Sequence, residues 1–158
     1  MKVFRRILHP TDFSRASGAA FAKALALAKE NRADLLLVHV LLPPTPFIGN
    51  GYVSPRTYEE LEVAARRGAQ RQLDRLLRKA RSAKTRVKGL LVEGVAYEQI
   101  ARVARRKRAD LIVLGTHGRT GFSRFFLGSV AERVIPLAPC PVLTVGPGSQ
   151  KEEARRGL

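Results

Sequence analysis

The stretch Asp110–Ser129, DLIVLGTHGRTGFSRFFLGS, lays out a strand, a glycine loop and a helix start in succession. Asp110–Leu114 is an apolar run of strand length, and Gly115 follows it directly. Gly115 and Gly118 stand three apart, and nine residues then separate Gly118 from the pair Gly128-Ser129. A helix is expected from Ser129 to about Leu137. A glycine segment between a buried strand and a helix N-terminus suits anions: bare backbone N–H groups approach phosphate oxygens, and the helix dipole favours negative charge. Glycine at 115, 118 and 121 also admits positive φ. The loop is therefore the leading candidate for a nucleoside triphosphate site. It is not a Walker A loop, because no lysine follows Gly128, and its glycines do not fall as the G-x-G-x-x-G of dinucleotide folds.

Outward from this loop, the chain alternates strands and helices. Val3–Leu8 is a β-rich run leading into His9-Pro10-Thr11-Asp12, and Ser14 to about Arg32 is rich in alanine, leucine and lysine, strong helix formers. Leu35–Leu42 is nearly all apolar, the pattern of a strand covered on both faces. Prolines and glycines between Pro43 and Pro55 mark a loop. From about Thr57 to Ser82, apolar side chains at 61, 65, 69, 73, 76 and 80 form a helical stripe. Val87–Val92 reads as a strand and Ala96–Lys107 as a helix with Ile100, Val103 and Ala104 inward. Val142–Val145 is a fifth strand, and the polar residues after Gly146 form a tail. Arg32-Ala33-Asp34-Leu35 recurs as Arg108-Ala109-Asp110-Leu111, each time leading from helix to strand; shared turn chemistry is the first reading of the echo, and an ancient βαβ duplication the alternative.

Five such units predict a single α/β domain: a parallel sheet with helices on both faces and right-handed crossovers. Ligands of such sheets bind beyond the carboxyl ends of the strands, where strand order reverses. His9-Pro10-Thr11-Asp12, the Val40 region, Gly94 and the Gly115 loop all fall at those ends.

The 158 residues fit one domain, and 45% of them are apolar, but no run approaches the roughly 20 apolar residues of a membrane span. The N-terminal residues do not have a secretory pattern. The single cysteine, Cys140, lies between two prolines and reads as a small hydrophobe; one cysteine makes no intramolecular disulfide. A cytoplasmic protein is the default expectation. With 29 basic and 13 acidic residues the net charge is +16, which points to an anionic partner. Much of that charge lies toward helix C-termini, at Arg66–Lys84 and Arg105–Arg108, with Glu59, Glu60, Glu62 and Glu98 earlier, as the helix dipole prefers. Aromatic residues are not interleaved with the basic ones, so nucleic-acid binding is the weakest of the functional readings.

Individual residues carry two readings each. Ser129-x-x-Glu132 is a capping-box pattern, yet the Ser129 hydroxyl can equally face a phosphate. Asp12 can bind a ribose hydroxyl or a magnesium ion, or can hold the turn before the first helix. Arg119 and Arg124 are either phosphate partners or solvated loop charges. His117 lacks a nucleophile to serve, His39 reads as structural, and the three histidines have no metal-ligand spacing.

The chain resembles the universal stress proteins of the ATP-binding type over about residues 2–146. The family pattern G-x2-G-x9-G-[ST] is matched by Gly115, Gly118, Gly128 and Ser129, ILHPTDFS resembles its first strand and aspartate, LLLVHV its second strand, and PCPVLTV its closing strand. Gly94-Val95-Ala96 departs from the Gly-x-Pro common after the third strand. The resemblance implies a three-layer flavodoxin- or Rossmann-like sandwich, related to the adenine nucleotide alpha hydrolases, with strand order 3-2-1-4-5. It implies ATP with Mg2+ or Mn2+ as ligand, and a site of Pro10, Thr11, Asp12, Val40, Gly115, Thr116, Gly118, Arg119, Gly128, Ser129 and Val130. Asp12 would meet ribose or metal, and the Val40 backbone the adenine. It further implies a homodimer through strand 142–145 and a regulator that acts on a protein partner with little or no hydrolysis. A slow ATPase or nucleotidyl transferase on the same scaffold is the alternative, and no catalytic residue stands out for it.

Overall fold

The computed structural model describes residues 3–43, 47–48, 51–116 and 127–146. Its main sheet holds β1 (Arg6–Pro10), β2 (Asp34–Leu41), β5 (Val87–Glu93), β6 (Leu111–Gly115) and β7 (Val142–Val145), all parallel, in the order β5-β2-β1-β6-β7. In chain order among these five strands that is 3-2-1-4-5, as expected. The helices are α1 (Arg15–Asn31), α2 (Pro55–Ser82), α3 (Ala96–Lys107) and α4 (Ser129–Leu137).

Two apolar layers lie one on each face of the sheet. Alternate side chains of each strand point to opposite faces, so Ile7, Leu35, Leu37, Leu111 and Val113 pack with Phe21, Ala24 and Leu73 of α1 and α2. Their neighbours Leu8, Leu36, Val38, Ile112 and Leu114 pack with Ile100, Ala104, Ala131 and Val134 of α3 and α4. Both faces are covered, and the near-continuous apolar strands follow from that. Alanines line α1 where it meets the sheet, at positions 20, 24 and 28, and bring that helix close.

Four details differ from the sequence reading. The first strand begins at Arg6 rather than Val3, which is exposed, and runs on to Pro10. The segment read as loop contains a small antiparallel pair, β3 (Phe47–Ile48) and β4 (Gly51–Tyr52), too short to stand out among prolines and glycines. The stripe of α2 is buried only from Ala69 onward, at Leu73, Leu77 and Ala80; Leu61 and Ala65 are exposed because the helix's first half lies beyond the sheet. That helix also starts at Pro55 with Ser54 as its cap, so Glu59, Glu60 and Glu62 lie past its first turn.

The Arg-Ala-Asp echo has a common cause. Arg32 and Arg108 both adopt left-handed backbone, φ 52°, and end α1 and α3; each following alanine is buried and donates its N–H five residues back, to Ala28 and Ala104. The aspartate N–H groups then join the sheet through the carbonyls of Arg5 and Arg6. Lys84, φ 58°, ends the α2 junction the same way without the motif.

Candidate functional site

The strand carboxyl ends meet where the order reverses, between β1 and β6. Pro10 pairs with Val38, and the Thr11 N–H donates to the Val38 carbonyl at 2.8 Å, which sets the Pro10-Thr11-Asp12 turn beside β2. Val40 lies two residues farther along β2, half-buried and paired with Val92.

The turn itself is closely cross-linked. The Asp12 carboxylate accepts the Ser14 N–H at 2.9 Å, the Thr11 hydroxyl accepts from the Phe13 N–H at 3.1 Å and from the Ser17 hydroxyl at 2.8 Å, and Ser14 caps α1 by accepting the Ser17 N–H. Phe13 sits at φ 62°, a conformation costing a non-glycine residue about 1–3 kcal/mol. Its ring stacks on His39, with centroids 4.4 Å apart, and the His39 Nδ1–H donates to the Thr11 carbonyl at 2.7 Å. Asp12 thus takes the turn role and still presents a half-buried carboxylate at the strand end.

On the other side of the reversal, Gly115 ends β6 and Thr116 follows. A Cβ at Gly115 would lie 3.0 Å from the Ala16 carbonyl oxygen and 3.2 Å from its carbon. The glycine is required by the close approach of α1, whereas the positive φ anticipated for it is not found; Gly94 is the glycine at positive φ among the described residues. The Thr116 N–H donates to the Val145 carbonyl at 3.0 Å, and the Thr116 carbonyl accepts the Gly128 N–H at 2.5 Å. The glycine loop is therefore clasped shut at its base. Gly118 and Arg119, like Gly121, Arg124 and His117, lie outside the described residues.

The capping box is not formed. Gly128 is the N-cap of α4, without a side chain to accept, and Ser129 and Val130 are the first two helical residues, both exposed. The first intrahelical bond runs from the Glu132 N–H to the Gly128 carbonyl. Geometry leaves the N–H groups of Ser129, Val130 and Ala131 without an intrahelical acceptor, and none accepts from them among the described residues.

His9, in β1 just before the turn, is fully buried. Its Nδ1–H donates to the Val113 carbonyl at 2.9 Å, while Nε2 has no hydrogen-bond partner among the described residues. Burial lowers its pKa to about 4, against smaller opposing effects of that hydrogen bond and of Asp12, so the ring is neutral and ties β1 to β6. Sequence reasoning missed this tie and the Phe13–His39 stack; the signal was a histidine in each of two otherwise apolar strands. Cys140 packs half-buried against the α3–α4 layer, and burial raises its thiol pKa, in keeping with its reading as a small hydrophobe.

The profile of the universal stress protein family matches residues 4–146. The chain belongs to the universal stress protein family. Universal stress protein MJ0531 of Methanocaldococcus jannaschii is 36% identical over 143 residues, which cover 90% of this chain and 82% of the relative. The solved structure of MJ0577, from the same archaeon, superposes with a TM-score of 0.76 at 27% identity, covering 90% of this chain and 95% of that one. The universal stress protein from Archaeoglobus fulgidus in complex with dAMP shares the fold at 22% identity and a TM-score of 0.59, covering 91% and 98% of the two chains. In this universal stress protein, no described helix is long and apolar enough to cross a membrane.

Proposed function

We propose that this protein binds an adenine nucleotide, ATP, between the β1 turn and the N-terminus of α4, and that the bound state regulates a protein partner in a stress response. The observation that carries the reading is the row of N–H groups at Ser129, Val130 and Ala131 that have no acceptor among the described residues, at the start of α4. Such donors at a helix start suit phosphate. Gly118 and Arg119 follow Thr116 in the sequence and would add to the same site. Pro10, Thr11 and Asp12 lie across from it beyond β1, with Asp12 toward ribose or metal. Val40 offers backbone to the adenine at the neighbouring strand. The dAMP complex of the archaeal relative supports an adenine ligand.

Among the described residues no group of three or more metal-ligating side chains is found. A magnesium ion would be carried by the nucleotide phosphates with Asp12 as its protein ligand, in keeping with the few carboxylates such ions take. When bound, it would neutralise phosphate charge.

Residues 1–146 form the nucleotide-binding domain in this reading, and 147–158 a tail. The protein acts in the cytoplasm as a homodimer through β7. Among the described residues that strand has a neighbour on one side alone, and Leu143 is exposed on it; Val130, Ile135 and Leu137 of α4 are exposed as well. An apolar sheet edge of this kind is a template for strand pairing.

Calorimetric titration of nucleotide-free protein with Mg-ATP tests the proposal. One site per chain at micromolar affinity is expected, weakened about tenfold to a hundredfold in Ser129→Ala, the effect of one hydroxyl hydrogen bond to a charged group. Because Ser129 is not the cap, the substitution leaves the melting temperature of the free protein unchanged. No heat, together with no rise in Tm at millimolar ATP, would refute nucleotide binding.

A further inference from the structure

The opposite end of the sheet carries a second concentration of positive charge. A hollow of about 730 Å³ lies at the amino-terminal ends of β2 and β5, with Leu35, Leu36, Val87 and Leu90 among its lining residues. Among its described lining residues, Arg6, Arg81, Arg86, Lys88 and Lys107 contribute five cations, against the single carboxylate of Asp34. The volume is that of small-molecule sites, which run to about 300–1,000 Å³.

Two of the guanidinium groups are held in place. Arg86 donates from Nε to Asp34 at 2.6 Å and from a terminal nitrogen to the Arg32 carbonyl at 3.2 Å. Arg6 donates to the Lys107 carbonyl and lies 4.0 Å from Asp34. Each guanidinium has five N–H donors, so these contacts orient it without exhausting it. Arg81, Lys88 and Lys107 make no ion pair among the described residues. Thr85, which also lines the hollow, is 8% exposed, and its hydroxyl has no partner among the described residues. An orphaned buried hydroxyl is unusual in a settled structure and is answered by an acceptor such as a phosphoryl oxygen. A neighbouring hollow shares Thr85 and Arg86 and adds Lys29, Arg32 and Lys84, so the cationic field continues around the rim.

We propose that this hollow is a second anion site, separate from the nucleotide loop, and that it takes a small oligophosphate, several phosphoryl charges in one molecule. One phosphate monoanion would leave most of the five cations unanswered. No aromatic side chain is among the described residues that line either hollow, so a base gains no stacking there and a nucleic-acid strand has no advantage over its charge alone. The oligophosphate can be free or can be the phosphate tail of a second nucleotide; tripolyphosphate and ATP then bind here about equally.

The test is an amide NMR titration of the full chain with sodium tripolyphosphate and, separately, with ATP. Shifts at residues 34–36 and 85–88 are expected with both ligands. The triple variant Arg81→Gln/Lys88→Gln/Lys107→Gln should weaken these effects about tenfold or more, since charged contacts are the stronger class. An equal reduction of charge by Arg67→Gln/Arg71→Gln/Arg75→Gln, exposed residues of α2, should leave affinity within about twofold. Equal weakening by both variants would reduce the site to diffuse attraction and overturn the proposal. So would tripolyphosphate shifts confined to residues 115–116 and 127–130. ATP shifts at this rim far exceeding those of tripolyphosphate would overturn base independence, and tighter binding of short single-stranded DNA at the same amides would replace the oligophosphate by a nucleic acid. Loss of ATP binding at the glycine loop would leave these outcomes unaffected.

Discussion

Gly115→Ala places one methyl group between the end of β6 and the start of α1. The new Cβ would stand 3.0 Å from the Ala16 carbonyl oxygen, 3.2 Å from the Ala16 carbonyl carbon and 3.4 Å from the Ser17 nitrogen. All three are backbone atoms, so no side chain can swing aside; α1 or β6 must move by a few tenths of an ångström. Overpacking of this kind costs about 1–3 kcal/mol. For a domain of this size each kcal/mol lowers Tm by about 2–4 °C, so a destabilisation near 2 kcal/mol means a fall of roughly 4–8 °C. Gly18→Ala is the matched control. Gly18 is exposed in α1, nothing lies within 4 Å of its added Cβ, and the change should stabilise by about 0.5–1 kcal/mol through helix propensity. Urea and thermal unfolding of both variants, side by side, give the two signs. A Gly115→Ala protein as stable as the parent would refute the close approach as the reason for glycine there, and with it the placement of α1 against the loop base.

Three further outcomes are expected. His9 has a folded pKa of about 4 against 6.5 ordinarily, so between those values the unfolded chain holds the extra proton. Stability therefore rises with pH across that window and falls by up to about 3 kcal/mol on acidification from 6.5 to 4; urea midpoints of His9→Gln against the parent should show a shallower pH dependence. Thr85→Val removes the orphaned buried hydroxyl while keeping the side-chain shape, and should raise stability by about 1 kcal/mol in ligand-free protein, read by chemical denaturation. The proposed dimer through β7 is tested by Leu143→Glu, which puts a charge on that exposed strand; sedimentation is expected to show the parent self-associating and the variant monomeric at the same concentration, and equal association of the two would place the interface elsewhere.

The strand and helix order was legible because apolar runs and helical stripes report burial directly: Leu35–Val38 and Ile112–Val113 are apolar because helices cover both sides of them. The glycine spacing was legible for the same reason, since strand, loop and helix start follow one another along the chain. The reach of α2 was not, because Leu61 and Ala65 share the stripe of Ala69 and Leu73 but lie past the edge of the sheet. Periodicity gives a face, not what stands opposite it. Ser129 shows the same limit at the site: its sequence fits a capping box, and a one-residue shift of the cap to Gly128 releases its hydroxyl.

By itself the sequence determined the α/β class, the five-strand alternation and the edge on which the candidate residues gather, since each depends on local patterns of apolar side chains, glycines and turn formers. Tertiary structure decided why Gly115 must be glycine, that two buried histidines brace the β1 turn and its neighbours, and that cations from residues 6, 81, 86, 88 and 107 share one hollow. Those facts depend on atoms brought together from distant parts of the chain, and spacing along a sequence carries no record of distance across a fold.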